Sequence, residues 1–122
     1  MKAILFVDDH EVLARLSCEI LNMQGYNAQY AFSGNEALMK FEREKYDILV
    51  TDYRMADMNG LELARRVRQK APGLPVVIVS GYPEENSGDV DAWLEKQNMF
   101  PALLEQIKHL LNVDPQPALK SS

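Results

Sequence analysis

The stretch "ILVTDYRMADMNG", residues 48–60, is an apolar run that stops abruptly on Asp52, with a loop behind it. No polar residue alternates within Ile48, Leu49 and Val50, so a strand here needs cover on both faces. That demand selects a parallel sheet with helices on each side, because parallel strands are joined by crossovers.

The segments on either side obey the same rule. "KAILFV" (2–7) is a short apolar run ending in Asp8 and Asp9, and "AQYA" (28–31) is a second short strand. "YDILVT" (46–51) is the third, "PVVIVS" (75–80) the β-branched fourth, and "DAWLEK" (91–96) a weaker fifth. Between them, Val12, Leu13, Leu16, Ile20, Leu21 and Met23 recur at helical spacing, and Gly25 stands where a helix stop belongs. Ser33 and Glu36 form a capping-box pair ahead of a second helix over 33–45. Leu61, Leu63, Ala64 and Val67 mark the inner side of a third, and Pro101 suits the first turn of a last one. The expected fold is α/β: a flavodoxin-like, doubly wound, five-stranded parallel sheet of order 2-1-3-4-5.

Composition narrows the function. The 122 residues suffice for one domain, expected over 1–112, with a disordered tail or linker over 113–122. A net charge of −5 and no basic cluster speak against nucleic acid as a partner. The apolar runs are too short for a membrane span or a signal peptide. The single cysteine, Cys18, excludes an internal disulfide and fits a reducing, cytoplasmic compartment.

In the expected strand order the chain reverses between strands 1 and 3, and ligands bind at the carboxyl ends beside that reversal. Asp8, Asp9 and Asp52 therefore meet in one cleft. Each alone reads best as a cap or turn residue, but three unneutralised carboxylates would repel one another. A hard divalent cation such as Mg²⁺ resolves the conflict. Strand 4 delivers Ser80 and strand 5 delivers Lys96 to the same end. Acids, a nucleophilic carboxylate, a hydroxyl and a cation together compose a phosphoryl-transfer site.

On these motifs the chain resembles the receiver domains of two-component response regulators over nearly its whole length. "ILFVDDHEVLARL" is similar to the family's first strand with its acidic pair, and "ILVTDYRMADMNGLELARRVR" to its phosphoacceptor segment. "VVIVSGY" and "WLEK" are similar to the hydroxyl-bearing and lysine-bearing strands. The resemblance implies that Asp52 is the phosphoacceptor, taking a phosphoryl group from a histidine kinase or a histidine phosphotransfer protein. It implies that Asp9, Asp52 and the backbone carbonyl of Arg54 coordinate Mg²⁺, with Asp8 acting through a water. Ser80 would bond a phosphoryl oxygen and Lys96 would pair with the phosphate. Trp93 falls where the family has an aromatic switch residue; an edge-strand aromatic is the plainer reading.

Four departures stand out. Ala56 replaces the usual proline after Asp52, and Asn59 replaces an acid before Gly60. Gln97 follows Lys96 where the family has a cis proline; a trans bond is expected here, since a non-proline cis form costs about 3 kcal/mol. "GYPEENSGDV" (81–90) has no apolar helical face, and roughly two helical turns are missing relative to the family. The fourth helix is therefore expected to be shortened or missing, altering the surface that would meet a downstream partner.

Other residues read blandly: His10 as an exposed helix N-terminal residue, His109 as surface, Cys18 as a semi-buried helix residue without a redox role. Arg54 and Tyr82 flank the cleft entrance, where they would govern access of water to a phosphoryl group. The expected activity is self-phosphorylation and dephosphorylation at Asp52 rather than turnover of a substrate. Three other classes stay open: a pseudo-receiver, a Mg²⁺-dependent aspartyl phosphohydrolase and a flavin carrier. The phosphohydrolase lacks its spaced second acid near "VDDH", and "DDHEV" would repel a flavin phosphate. With only a short tail after residue 112, the reading allows a single-domain regulator, a phosphorelay shuttle or a receiver excised from a longer protein.

Overall fold

Alternate residues of each central strand feed two separate cores, as the uninterrupted apolar runs require. In the computed structural model, which describes residues 1–82 and 90–111, the elements run β1 (Ala3–Val7), α1 (Glu11–Met23), β2 (Asn27–Ala31), α2 (Gly34–Arg43), β3 (Ile48–Asp52), α3 (Gly60–Lys70), β4 (Val76–Ser80), β5 (Ala92–Glu95) and α4 (Met99–Leu111). All strand pairings are parallel and the order is β2-β1-β3-β4-β5, as expected. Ile4, Phe6, Ile48, Val50, Val77 and Val79 pack beneath α1 and α4, meeting Cys18, Leu21, Leu103 and Ile107. Leu5, Val7, Leu49, Val76 and Ile78 face the other way, onto Ala37, Leu63, Ala64 and Val67 of α2 and α3.

Local signals place the helices. Ser33 Oγ accepts from the Glu36 amide at 3.0 Å, and Glu36 Oε1 reaches back one residue beyond the cap to accept from the Phe32 amide at 2.7 Å, a variant of the expected capping box. Asn59 caps α3, its Oδ1 accepting from the Glu62 amide at 2.8 Å. His10 caps α1 through Nδ1, which accepts from the Leu13 amide at 3.2 Å. Pro101 lies in the first turn of α4. Among the described residues there are four helices. The segment expected to have lost its helix lies largely at 83–89, outside the described residues, and so does the 113–122 tail.

α1 differs from the simplest reading of its apolar pattern. The core takes Ala14, Ser17, Cys18 and Leu21, whereas Val12, Leu16, Ile20 and Met23 remain exposed. The helix is apolar on two sides, because small residues at 14, 17 and 18 let it lie close to the sheet and leave the bulkier stripe outside.

One glycine fixes how α3 leaves the sheet. The Gly60 amide donates to the Tyr53 carbonyl at 2.7 Å, and a Cβ on Gly60 would sit 2.7 Å from the Asp52 carbonyl oxygen. Backbone cannot yield there as a flexible side chain could. Gly60→Ala is expected to cost about 2 kcal/mol of stability through overpacking, read as a lower urea midpoint with an unchanged slope.

Candidate functional site

The strand ladders overrun the strands by one residue and deliver the site. The Asp8 amide donates to Ala31 O at 3.0 Å, the Tyr53 amide to Val79 O at 3.1 Å, and the Lys96 amide to Ser80 O at 2.8 Å. In parallel register these overhangs share one end of the sheet with Asp52, the last residue of β3, so the side chains of Asp8, Asp52 and Lys96 converge there.

Asp8 is 1% exposed and Asp52 8% exposed, so two carboxylates lie in a weakly screened environment. Lys96 Nζ sits between them, 2.9 Å from Asp8 Oδ2 and 3.0 Å from Asp52 Oδ2. The other oxygen of Asp8 accepts from the His10 amide at 2.9 Å. Asp9 is exposed at the rim, and oxygens of Asp8, Asp9 and Asp52 lie within 4.8 Å of one another. An all-carboxylate donor set with an open outer side suits Mg²⁺. Asp8, with both oxygens already engaged, fits a supporting place better than a direct one.

The electrostatics follow from this packing. Burial pushes the Asp52 carboxyl above the ordinary carboxylate range; the Lys96 hydrogen bond opposes this, and the charge of Asp8 adds to it. Lys96 loses by desolvation but gains more from its bonds to Asp8 and Asp52, so its ammonium is held above its ordinary pKa.

Lys96 reaches the cleft although no cis peptide bond occurs among the described residues. The backbone turns instead at Asn98, whose φ of 59° lies in the left-handed region that asparagine tolerates. Ser80 is buried beside the cleft, its Oγ accepting from the Tyr82 amide at 3.0 Å. Trp93 lies on the edge strand, apart from the carboxylates. Its indole N–H donates to the Tyr82 carbonyl at 3.3 Å, and its ring meets that of Tyr53 at 5.0 Å between centroids.

Arg54 lies outside the cluster, its guanidinium 4.4 Å from the centre of the Tyr82 ring and 5.8 Å from that of Tyr53. His109 is exposed on α4. Cys18 is fully buried rather than half-buried, and its thiol is pushed up to about 12 by desolvation, which keeps it inert. Two residues near the site escape sequence reasoning. Tyr53 lies between Arg54 and Trp93, its ring 5.8 Å from the Arg54 guanidinium and 5.0 Å from the Trp93 ring, and Asp57 reaches across to α2. Neither the Tyr53–Trp93 contact nor the Asp57 bonds leave a local signal, because their partners are distant along the chain.

The family described as response regulator receiver domain matches residues 4–108. The chain belongs to that family. It is 33% identical over 113 residues to the autoinducer 1 sensor kinase/phosphatase LuxN of Vibrio campbellii, an alignment covering 88% of this chain and 13% of LuxN. The chain thus spans about an eighth of that relative's length. Among solved structures, the response regulator TrrA of Thermotoga maritima in complex with Mg²⁺-BeF superposes with a TM-score of 0.84 at 34% identity, covering 91% of this chain and all of TrrA. TrrA in complex with the histidine kinase ThkA gives a TM-score of 0.83, also at 34% identity, over 91% and 99% of the two chains. This receiver domain has the two-component signalling fold with its acidic cluster in place. Among the described residues no helix is long and apolar enough to cross a membrane.

An acid whose folded pKa exceeds its unfolded value costs stability above the folded pKa, and the cost vanishes below the unfolded one. Asp52→Asn is therefore expected to raise the metal-free melting temperature at pH 7 by a few degrees. The gain should shrink as pH falls through the carboxylate range. A fall in melting temperature at pH 7 would contradict the assignment of Asp52 as a strained acid.

Proposed function

We propose that this receiver domain takes a phosphoryl group from the phosphohistidine of a histidine kinase or histidine phosphotransfer protein onto Asp52. The observation that carries the reading is Lys96 Nζ bridging Asp8 and Asp52 at 2.9 and 3.0 Å, inside a cluster whose third acid faces solvent. Asp52 Oδ attacks phosphorus as the P–N bond breaks, giving an acyl phosphate and a histidine that recovers its proton from solvent. Asp9, Asp52 and the Arg54 carbonyl would hold Mg²⁺, with Asp8 behind a water. Bound there, the ion supplies Lewis-acid neutralisation of phosphoryl oxygens. Lys96 pairs with the new phosphate, and Ser80 exchanges its bond to the Tyr82 amide for one to a phosphoryl oxygen. That exchange frees the Tyr82 backbone, whose carbonyl anchors Trp93, and so couples the site to the edge strand as a two-state switch.

The exposed stripe of Val12, Leu16, Ile20 and Met23 supports a helical donor protein as partner, since α1 begins two residues after Asp9. A buried, inert cysteine and the ATP-fed source of phosphohistidine favour the cytoplasm. The domain is a signalling acceptor rather than an enzyme with turnover, and nucleic acid is not its partner.

With Mg²⁺ and a small-molecule phosphodonor, intact-mass analysis is expected to show one added phosphoryl group, acid-stable and base-labile. The adduct should be absent in Asp52→Asn and without Mg²⁺. A chain that folds and binds Mg²⁺ but never acquires the adduct would instead be a pseudo-receiver, and multiple turnover of a phosphomonoester would make it a phosphohydrolase. On this reading the Arg54–Tyr82 stack screens the phosphoryl group from water. Tyr82→Ala should shorten the adduct's lifetime several-fold; an unchanged lifetime removes the stack from that role.

A further inference from the structure

The loop from Tyr53 to Asn59 carries the Arg54 carbonyl, yet Ala56 gives it none of the stiffness a proline would. Its anchorage comes from elsewhere. Asp57 Oδ2 accepts from the Asn35 amide at 2.8 Å and Oδ1 from the Gly34 amide at 3.2 Å, across more than twenty residues of chain. These are the first two residues of α2, whose amides have no partner within the helix. Desolvation works against the Asp57 carboxylate, but backbone amides, those of Asn35 and Gly34 first and then its own and that of Met58, together outweigh it and hold the group below its ordinary pKa. The contact is reinforced next door: Met58 lies against Gly34 so closely that a Cβ there would fall 2.5 Å from Met58 Cγ. At the far end, the Gly60 amide closes the loop on Tyr53 O.

We infer that Asp57 is a positioning residue of the phosphoryl site, clamping the 53–60 loop onto the N-terminus of α2 so that the Arg54 carbonyl faces the acidic cluster. The inference rests on the reading of that carbonyl as a Mg²⁺ ligand. The clamp takes the place of the missing proline by an electrostatic route. Glycine at the start of α2 leaves room for this contact: a Cβ there would force the Met58 side chain to move.

Calorimetric titration of the whole chain with Mg²⁺ tests this. Asp57→Ala should weaken Mg²⁺ binding about tenfold, the lower end of what loss of an orienting partner costs a metal site. Asp57→Asn, which keeps one acceptor, should fall between. Ser33→Ala removes a different cap from the same helix and should lower stability while leaving Mg²⁺ affinity unchanged. Adding Ala56→Pro to Asp57→Ala should restore affinity. Without metal, the Gly60 amide should exchange faster in Asp57→Ala than in Ser33→Ala. Unchanged affinity in Asp57→Ala, or an equal loss in Ser33→Ala, overturns the inference; if Asp57→Ala does not fold, Asp57→Asn decides it by the same comparison. A parent chain that binds no Mg²⁺ removes the metal reading and this inference together.

Discussion

Two buried carboxylates sharing one ammonium constrain everything at the carboxyl end of this sheet. Asp8 and Asp52 lie almost out of solvent, and each gives an oxygen to Lys96 Nζ. Charges buried so close are tolerable only when neutralised in good geometry. That geometry comes from backbone hydrogen bonds: Asp8 and Lys96 continue the ladder one residue beyond β1 and β5, and Asp52 ends β3 with Tyr53 bonded after it, so the three side chains are aimed by the sheet itself. The sheet can provide this because both its faces are covered by helices and its strands are rigidly registered.

A shared lysine also explains why the site is poised rather than satisfied. Desolvation and the neighbouring Asp8 leave Asp52 less comfortable as an anion than a surface carboxylate would be, even with Lys96 in contact. A cation or a phosphoryl group entering the cleft would redistribute that charge. Ser80 and Tyr82 connect the cleft to Trp93 through one amide and one carbonyl, a short path made of two hydrogen bonds.

The departures from the family pattern show two ways of keeping a geometry with different residues. Where a cis proline usually follows the lysine, the chain turns at Asn98 and Lys96 still reaches both acids. Where a proline usually stiffens the phosphoacceptor loop, Asp57, Met58 and Gly60 tether it to α2 and to Tyr53. Asn59, in place of an acid, caps α3.

What the sequence by itself determined was the periodicity and the ends: five apolar runs of strand length, helices between them, and acids, a hydroxyl and a lysine at the strand termini. Those signals are local, since burial on both faces demands continuous apolar residues and a capping box spans only a few positions. The parallel sheet followed from them with the rule for crossovers, and the convergence of Asp8, Asp52 and Lys96 followed once the flavodoxin-like strand order was adopted. Only the tertiary structure decided which side of α1 is buried, because Val12 and Leu16 are as apolar as Leu21 and close approach to the sheet selects the small residues Ala14 and Ser17. Only it decided that Lys96 bridges two acids, that Trp93 rests on Tyr53, and that Asp57 ties the loop to α2. Each of these joins residues far apart in the chain, and such contacts are specified by the packing of whole elements rather than by any neighbouring residue.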